Sequence, residues 1–257
     1  MHYQRMKQSQ RFGSSPAWVL VSWLLLLPGA VSIGQPLNTS ARQTFLDSLT
    51  TRPTTFRWVA PAVLISAGLA LSPDYPNSHF DRFYIRSQIQ DKIHFRTHVD
   101  DYLQYGPAIA WAGLSLAGVK GRSHPLDRAF TGLLAYGIST GLVLGLKHTT
   151  HELRPDGSNY LSFPSGHTAN AFTGARLLDR EFGGVSPWIP SGGYAMATST
   201  GIFRMTNDKH WVSDVLVGAG IGLLSTEVAY RVYPWVKKAL TRRERNHNLS
   251  YWLLKGD

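Results

Sequence analysis

Residues 129–146, AFTGLLAYGISTGLVLGL, form an uncharged run rich in Gly, Ala, Ser and Thr. This composition predicts a helix that packs closely through small side chains, near the lower length limit for crossing a bilayer. Four more largely apolar windows share this character, the last broken only by Asp214: 58–73, 102–119, 182–203 and 211–226. Because strand-type alternation is scarce, we predict an all-α fold, a helical bundle with five to six core helices of membrane-span or near-span length. An amphipathic helix from Ser165 to Glu181 belongs to it.

The 257-residue chain has a formal net charge of +10 and contains no cysteine. The lack of cysteine excludes disulfides, thiolate nucleophiles and cysteine-based zinc sites. Basic runs interleaved with aromatic residues are absent, which argues against a nucleic-acid-binding protein. Seven of the basic residues lie in 231–257, which suits either a tail near anionic lipid headgroups or a solvated helix end.

The N-terminus has the features of an export signal. Arg5, Lys7 and Arg11 precede the apolar stretch AWVLVSWLLLLPGAVS, whose last residues are small enough for a signal peptidase. In 74–101, aromatic and Ile residues lie among charged ones, which suits either an amphipathic helix at a membrane interface or a plain surface helix of a soluble protein. The predicted domains are a signal peptide or anchor (1–34), an N-terminal segment (35–57), a helical domain (58–240) and a basic C-terminal tail (241–257).

Metal binding is one interpretation of the polar stretch LKHTTHELRPDGSNYLSFPSGHT, residues 146–168. His148 and His151 lie three residues apart beside Glu152. Their order is neither H-E-x-x-H nor H-x-x-E-H, which place two imidazoles and a glutamate around zinc. We therefore interpret the two histidines as solvated residues at a helix end.

Phosphate binding explains more of the same stretch. On a helix that continues to Pro155, Lys147 and Arg154 would lie two turns apart on one face, where both could contact one anion. Ser165 and Gly166 then begin a second helix, whose first backbone N–H groups remain available to an anion. Each half of this pattern is weak when taken alone.

A second cluster, FRMTNDKHWVSD at 203–214, strengthens the phosphate interpretation. Asn207 or Asp208 can cap a helix whose first turn carries His210, and the i, i+4 spacing then places Asp214 beside that imidazole. A carboxylate next to a histidine fixes its tautomer and raises its basicity, as a histidine nucleophile or base requires.

The motifs resemble the three-part signature of the type 2 phosphatidic acid phosphatase (PAP2) superfamily, which includes bacterial acid phosphatases and vanadium haloperoxidases. In this chain they read Lys147-x6-Arg154-Pro155, Pro164-Ser165-Gly166-His167 and Arg204-x5-His210-x3-Asp214. The resemblance covers 147–214 directly and, with the flanking helices, about 100–235. It implies a helical phosphatase that uses neither a metal nor another cofactor.

The resemblance also implies a role for each motif residue. His210 would attack phosphorus, Asp214 would hold its other ring nitrogen, and His167 would protonate the leaving oxygen. The implied phosphate-binding groups are the cations and the backbone near the helix start: Lys147, Arg154, Arg204, Ser165 and Gly166.

One position departs from the family pattern, because Phe203 stands where the third motif usually has a serine. We expect one phosphate hydrogen bond to be missing or replaced by Ser199, Thr200 or Thr206. The stretch VDDYLQYGPAIAWAGLSLAGVKG (99–121) resembles most the lipid A phosphatase branch of Gram-negative bacteria. The expected substrate is therefore a membrane lipid phosphate or diphosphate.

Two alternatives follow from the same residues: a soluble periplasmic acid phosphatase of this superfamily, and a protein that binds or transports phosphate without turnover. The expected location is the bacterial inner membrane with the active site facing the periplasm, since the opposite loops carry more Lys and Arg. An export signal would instead leave residue 35 in the periplasm, and counting the crossings from there would place the active site on the cytoplasmic side. The sequence leaves these two orientations open. It also leaves the oligomeric state undetermined.

Overall fold

The computed structural model describes residues 56–72 and 81–254, and within these ranges the secondary structure is entirely helical. The helices are α1 (Phe56–Ala70), α2 (Arg82–Lys92), α3 (Val99–Leu103), α4 (Gly106–Leu116), α5 (Pro125–Thr150), α6 (Gly166–Phe182), α7 (Trp188–Thr206) and α8 (Val212–Leu254). The predicted all-α bundle is confirmed. The predicted signal (1–34) and all but the last two residues of 35–57 lie outside the described residues.

The helix α6 agrees closely with the prediction from sequence. Ser165 is its N-cap, and the Ser165 side chain accepts a hydrogen bond from the backbone N–H of Thr168. Such a cap satisfies one of the N–H groups that the first turn leaves without a carbonyl. One face of α6 is apolar and buried, with Leu177, Leu178 and Phe182 fully enclosed.

Other helix boundaries differ from the predicted windows. The window 102–119 is divided between α3 and α4, and α2 occupies only part of the predicted interfacial stretch 74–101. The window 182–203 contains a turn, so α7 begins at Trp188. The window 211–226 is only the first part of α8, which continues through the expected domain boundary at residue 240.

The helix that carries Lys147 does not continue to Pro155 as predicted. It ends at Thr150 because His151 adopts a left-handed conformation (φ 47°), and the His151 N–H bonds to the carbonyl of Lys147. A left-handed residue at this position terminates a helix. Arg154 therefore lies in the loop after α5 and reaches the site from there.

The predicted cap of the last helix is also wrong. Asp208 lies in a turn with φ 60°, and α8 begins at Val212 rather than before His210. The side chain of Asp214 accepts a hydrogen bond from the Trp211 N–H at 2.9 Å, so this carboxylate closes the first turn of α8.

Two glycines on α8 allow it to pack directly on α6. A Cβ on Gly218 would lie 2.5 Å from the carbonyl oxygen of Ser165, and one on Gly222 would lie 2.4 Å from that of Ala169. Neither position has room for a larger side chain, because the obstacle is backbone. The contact brings the beginnings of α6 and α8 together, and the Ser165 N–H donates to the Asp214 carbonyl at 3.0 Å.

Because α5 to α8 run alternately up and down, four helix ends meet at one end of the bundle, the site end. The Asp156 N–H donates to the carbonyl of Asp208 there, joining the α5–α6 loop to the α7–α8 turn. At the opposite or far end, the Arg122 N–H donates to the carbonyl of Glu181. The site end therefore collects residues that are far apart in sequence.

Two described helices are long and apolar enough to cross a membrane: α5 and the Val212–Ala239 part of α8. The second is mostly buried within the bundle, whereas α5 is mostly exposed. Large apolar side chains with more than half of their surface exposed occur on α1, α4 and α5: Val63, Leu69, Ile109, Leu116, Leu126, Phe130 and Leu133. Exposed apolar surface of this extent is typical of a face that contacts lipid or another protein.

Candidate active site

The predicted pair of His210 and Asp214 forms at the centre of the site end. The Nδ1 atom of His210 lies 3.3 Å from Oδ2 of Asp214. Both residues are buried, with 3 % of His210 and none of Asp214 exposed. Since Nδ1 faces the carboxylate, Nε2 is the ring nitrogen available for chemistry.

Oδ2 of Asp214 is held by two further hydrogen bonds. The Ser162 hydroxyl donates to it at 2.6 Å, and the Trp211 N–H donates at 2.9 Å. The Trp211 indole in turn donates to the carbonyl of Leu153 at 3.0 Å. This network fixes the carboxylate against which the His210 ring is oriented.

Two of the predicted cations lie seven residues apart, Lys147 in the last turn of α5 and Arg154 in the loop that follows. The Lys147 ammonium, at the end of α5, donates to the carbonyls of Leu161 and Ser162. The Nε of Arg154 is buried and has no hydrogen-bond acceptor in the described part of the chain. An unpaired guanidinium nitrogen inside a protein is costly, so an anionic ligand there would satisfy it.

The third predicted cation, Arg204, is already paired. Its Nη1 lies 2.7 Å from Oδ2 of Asp100 and 3.4 Å from Oδ1 of Asp101. Asp100 is buried and also accepts from the Asn207 amide at 2.9 Å. Arg204, which is expected to bind phosphate, thus already has a carboxylate partner, although its buried Nε has no acceptor within residues 56–72 and 81–254.

His167 lies in the first turn of α6, close to the same arginine. Its Nε2 lies 3.1 Å from Oδ1 of Asp101, and its side chain is 29 % exposed. The first backbone N–H groups of α6, those of Gly166 and His167, point out of the helix end, as a phosphate site requires. Ser165 differs, because its N–H and hydroxyl are engaged by Asp214 and Thr168.

The pKa shifts are consistent with cations surrounding one anion site. Burial, followed by the positive charges of Lys147, Arg204 and Arg154, holds the pKa of His210 well below its usual value. Burial and the charge of Arg204 likewise lower the pKa of His167, while Asp101 opposes this shift. The cations therefore lie close enough to keep His210 neutral and nucleophilic at neutral pH.

The hydroxyl groups expected to replace the missing serine at 203 have other partners. Thr200 is buried and donates to the carbonyl of Met196 at 2.9 Å, and Thr206 donates to that of Phe203 at 3.2 Å. Both bonds stay within α7. Within the described residues, Ser199 is the candidate of the three that shows no such bond.

The histidines at the end of α5 are placed as predicted, since His148 and His151 are both exposed. In the ranges that the structure covers, no group of three or more His, Asp or Glu residues is placed to hold a metal ion.

Sequence reasoning missed three polar residues of the site: Asp100, Asp101 and Ser162. The adjacent aspartates lie in the stretch that resembles the lipid A phosphatase branch, but no role was predicted for them. The sequence nevertheless indicated that these aspartates have partners, because charged residues directly before an apolar helix need them. Ser162 carried no comparable signal.

The geometry therefore combines an all-helical bundle, a buried histidine–carboxylate pair and cations from three separate segments. Residues 128–238 match the PAP2 superfamily. This match confirms the resemblance predicted from the motifs.

Among curated proteins, the chain is similar to the lipid A 1-phosphatase of Porphyromonas gingivalis, with 38 % identity over 155 residues. The match covers 60 % of this chain and 34 % of the relative, so the chain spans about a third of that relative's length.

Two solved structures also resemble the chain, each at 22 % identity. Aquifex aeolicus LpxE gives a TM-score of 0.47, covering 63 % of this chain and 99 % of that one. The PAP2-type phosphatidylglycerolphosphate phosphatase of Bacillus subtilis gives 0.39, covering 74 % and 92 %.

Proposed function

We propose that this protein is a metal-independent phosphatase that hydrolyses a phosphate ester of a membrane lipid through a phosphohistidine intermediate. The observation that carries the proposal is the buried His210, held through Nδ1 by Asp214 and kept neutral by burial and by the surrounding cations. Phosphoryl transfer depends mainly on positioning and charge neutralisation, which fixed cations supply without a metal.

In the first step, Nε2 of His210 attacks phosphorus and the bond from phosphorus to the leaving oxygen breaks. Lys147, Arg154 and Arg204 bind the equatorial oxygens together with the backbone N–H groups of Gly166 and His167. Protonated His167 gives its proton to the leaving oxygen, so the lipid departs as a neutral alcohol. Asp214 stabilises the positive charge that develops on the His210 ring.

In the second step, water attacks the phosphohistidine. Neutral His167 takes a proton from this water, the P–N bond breaks, and inorganic phosphate leaves. His167 is then protonated again and His210 is neutral, so the site returns to its starting state. Ser165 has a supporting role, because its bonds to Asp214 and Thr168 fix the beginning of α6.

The substrate class follows from the apolar surface and from the named relative. The exposed side chains of α1, α4 and α5 favour a protein embedded in the inner membrane, where lipid headgroups lie at the depth of the site end. The P. gingivalis relative is named a lipid A 1-phosphatase. We therefore propose the 1-phosphate of a lipid A-type glycolipid as the first substrate, with phosphatidate, phosphatidylglycerophosphate and undecaprenyl diphosphate as comparisons.

Phosphate release from these lipids in detergent, with excess chelator present, tests the proposal. We expect release from at least one lipid, with less than about 0.1 % of that rate in His210→Ala, since the nucleophile is lost. The matched control is His148→Ala, which removes an exposed histidine outside the site and should keep full activity. Loss of activity in chelator would contradict metal independence, and activity of His210→Ala within tenfold of wild type would contradict the nucleophile.

The soluble and the non-enzymatic alternatives give different results. A soluble acid phosphatase would appear in the supernatant after an alkaline carbonate wash, whereas an embedded enzyme remains in the membrane pellet. A phosphate-binding protein would release no phosphate from any lipid or small ester. Mere binding does not require a paired nucleophile and acid, which favours the enzyme.

A further inference from the structure

Each of the two site histidines has its own carboxylate. His210 faces Asp214 through Nδ1 at 3.3 Å, and His167 faces Asp101 through Nε2 at 3.1 Å. The first pair is local in sequence, whereas Asp101 comes from α3, 66 residues before His167.

The two pairs differ in their access to water. The side chains of His210 and Asp214 are at most 1 % exposed, whereas those of His167 and Asp101 are 29 % and 48 % exposed. A group that must lose and regain a proton in every turnover exchanges it fastest where water reaches it. The exposed pair is therefore suited to proton exchange, and the buried pair to nucleophilic attack.

Charged groups from three segments surround His167. Asp100 and Asp101 approach from α3, Arg204 from α7, and His210 from the turn before α8. Arg204 disfavours a proton on His167, and Asp100 is committed to Arg204 and Asn207. Asp101 lies nearer to His167 (3.1 Å) than to Arg204 (3.4 Å) or to the exposed His98 (3.7 Å), so it is the carboxylate that contacts the His167 ring directly.

Building on the proposed function, we propose that Asp101 is the positioning carboxylate of the general acid His167. It accepts a hydrogen bond from Nε2–H and fixes the ring, so that Nδ1 carries the proton given to the leaving oxygen. Asp101 also favours the protonated imidazole against the opposing charge of Arg204. No covalent bond forms or breaks at Asp101, and the proton stays on His167 until the P–O bond breaks.

The test compares two monoesters in detergent with the full-length Asp101→Asn variant. Octyl phosphate needs its leaving alkoxide protonated, whereas 4-nitrophenyl phosphate releases a stable anion that needs little acid. General acid catalysis contributes about 10²–10⁴-fold. We therefore expect kcat for octyl phosphate to fall about 10- to 100-fold and kcat for nitrophenyl phosphate less than about threefold.

The pH profile on the lipid substrate gives a second readout. Without the Asp101 charge, the pKa of His167 falls, so its proton is lost earlier as pH rises. We expect the high-pH limb of kcat to move down by about 0.5–1 pH unit. Asp101→Glu keeps the charge, so the high-pH limb of its kcat should stay close to the wild-type position.

The matched control is Asp127→Asn, which neutralises a far-end aspartate paired with Lys237. It should leave both esters and the pH limb unchanged. Equal losses on the two esters, or an Asp101→Asn enzyme identical to wild type, would overturn the role of Asp101 while leaving the phosphatase intact. A wild-type protein that releases no phosphate would overturn both.

Discussion

At the scale of single residues, the role of Asp214 leads to the most specific prediction. Asp214→Asn keeps the shape of the side chain but removes the charge that orients and stabilises the His210 ring. We expect kcat to fall about 10³- to 10⁴-fold with little change in KM, measured as phosphate release from the best lipid substrate. Ser162→Ala removes one bond to the same carboxylate and should cost only about tenfold. Equal effects of the two variants would contradict this ranking.

The lowered pKa of His210 predicts the acidic limb of the pH profile. A histidine in solution gains a proton near pH 6.5, but burial and the nearby cations keep His210 neutral to lower pH. The low-pH limb of kcat/KM should therefore lie below pH 6.5. Arg154→Gln removes one of these charges and should move the limb to higher pH, besides weakening phosphate binding. A limb that stays in place would show that the Arg154 charge does not act on His210.

The sequence predicted local relations between site residues better than distant ones. The spacing of His210 and Asp214 indicated their contact, although His210 lies in the turn before α8 and meets the Asp214 carboxylate from there, rather than from a shared helix face. Arg154 was misplaced because no glycine or proline marks the end of α5 at His151. The partners of Asp100 and Asp101 in the site lie 66 to 107 residues away, and only the tertiary fold brings them together.

At the scale of helices, the α6–α8 contact predicts the effect of one methyl group. In Gly218→Ala, the new Cβ meets the Ser165 carbonyl and pushes α8 away from the beginning of α6. We expect a loss of about 1–3 kcal/mol, hence a lower Tm in detergent, and a fall in kcat as the Ser165–Asp214 bond lengthens. Gly141→Ala is the matched control, because nothing lies within 4 Å of its Cβ; its Tm should stay the same or rise. Equal Tm values for Gly218→Ala and the wild-type protein would contradict the close contact between α6 and α8.

Helix prediction succeeded where start signals and periodicity agreed. The start of α6 had both, with Ser165 as a cap before an amphipathic run. The start of α7 was placed too early, because hydropathy alone does not register the break at Gly183, Gly184 and Pro187 within an apolar window. The length of α8 was underestimated because its second half is polar and lies beyond the apolar window.

At the scale of the whole molecule, the lack of cysteine makes the orientation in the membrane measurable. Single cysteines at Ser158→Cys, in an exposed loop of the site end, and at Gly184→Cys, at the far end, introduce one thiol each. If the active site faces the periplasm, a membrane-impermeant maleimide should label intact spheroplasts at 158 and label 184 only after lysis. The reverse pattern would place the site in the cytoplasm.

Ion pairs stabilise the loops at the entrance of the site, whereas buried hydrogen bonds hold the catalytic residues His210 and Asp214. Arg86 pairs with Asp208 at 2.6 Å, and Lys209 pairs with Asp156 at 2.6 Å; both cations are more than a third exposed. Dissolved salt screens the exposed Lys209–Asp156 pair more than the part-buried Arg86–Asp208 pair, and it hardly affects buried hydrogen bonds. We therefore expect rising ionic strength to weaken the contacts at the entrance while leaving the buried His210–Asp214 pair unchanged, so that entry of a headgroup depends on the salt concentration near the bilayer.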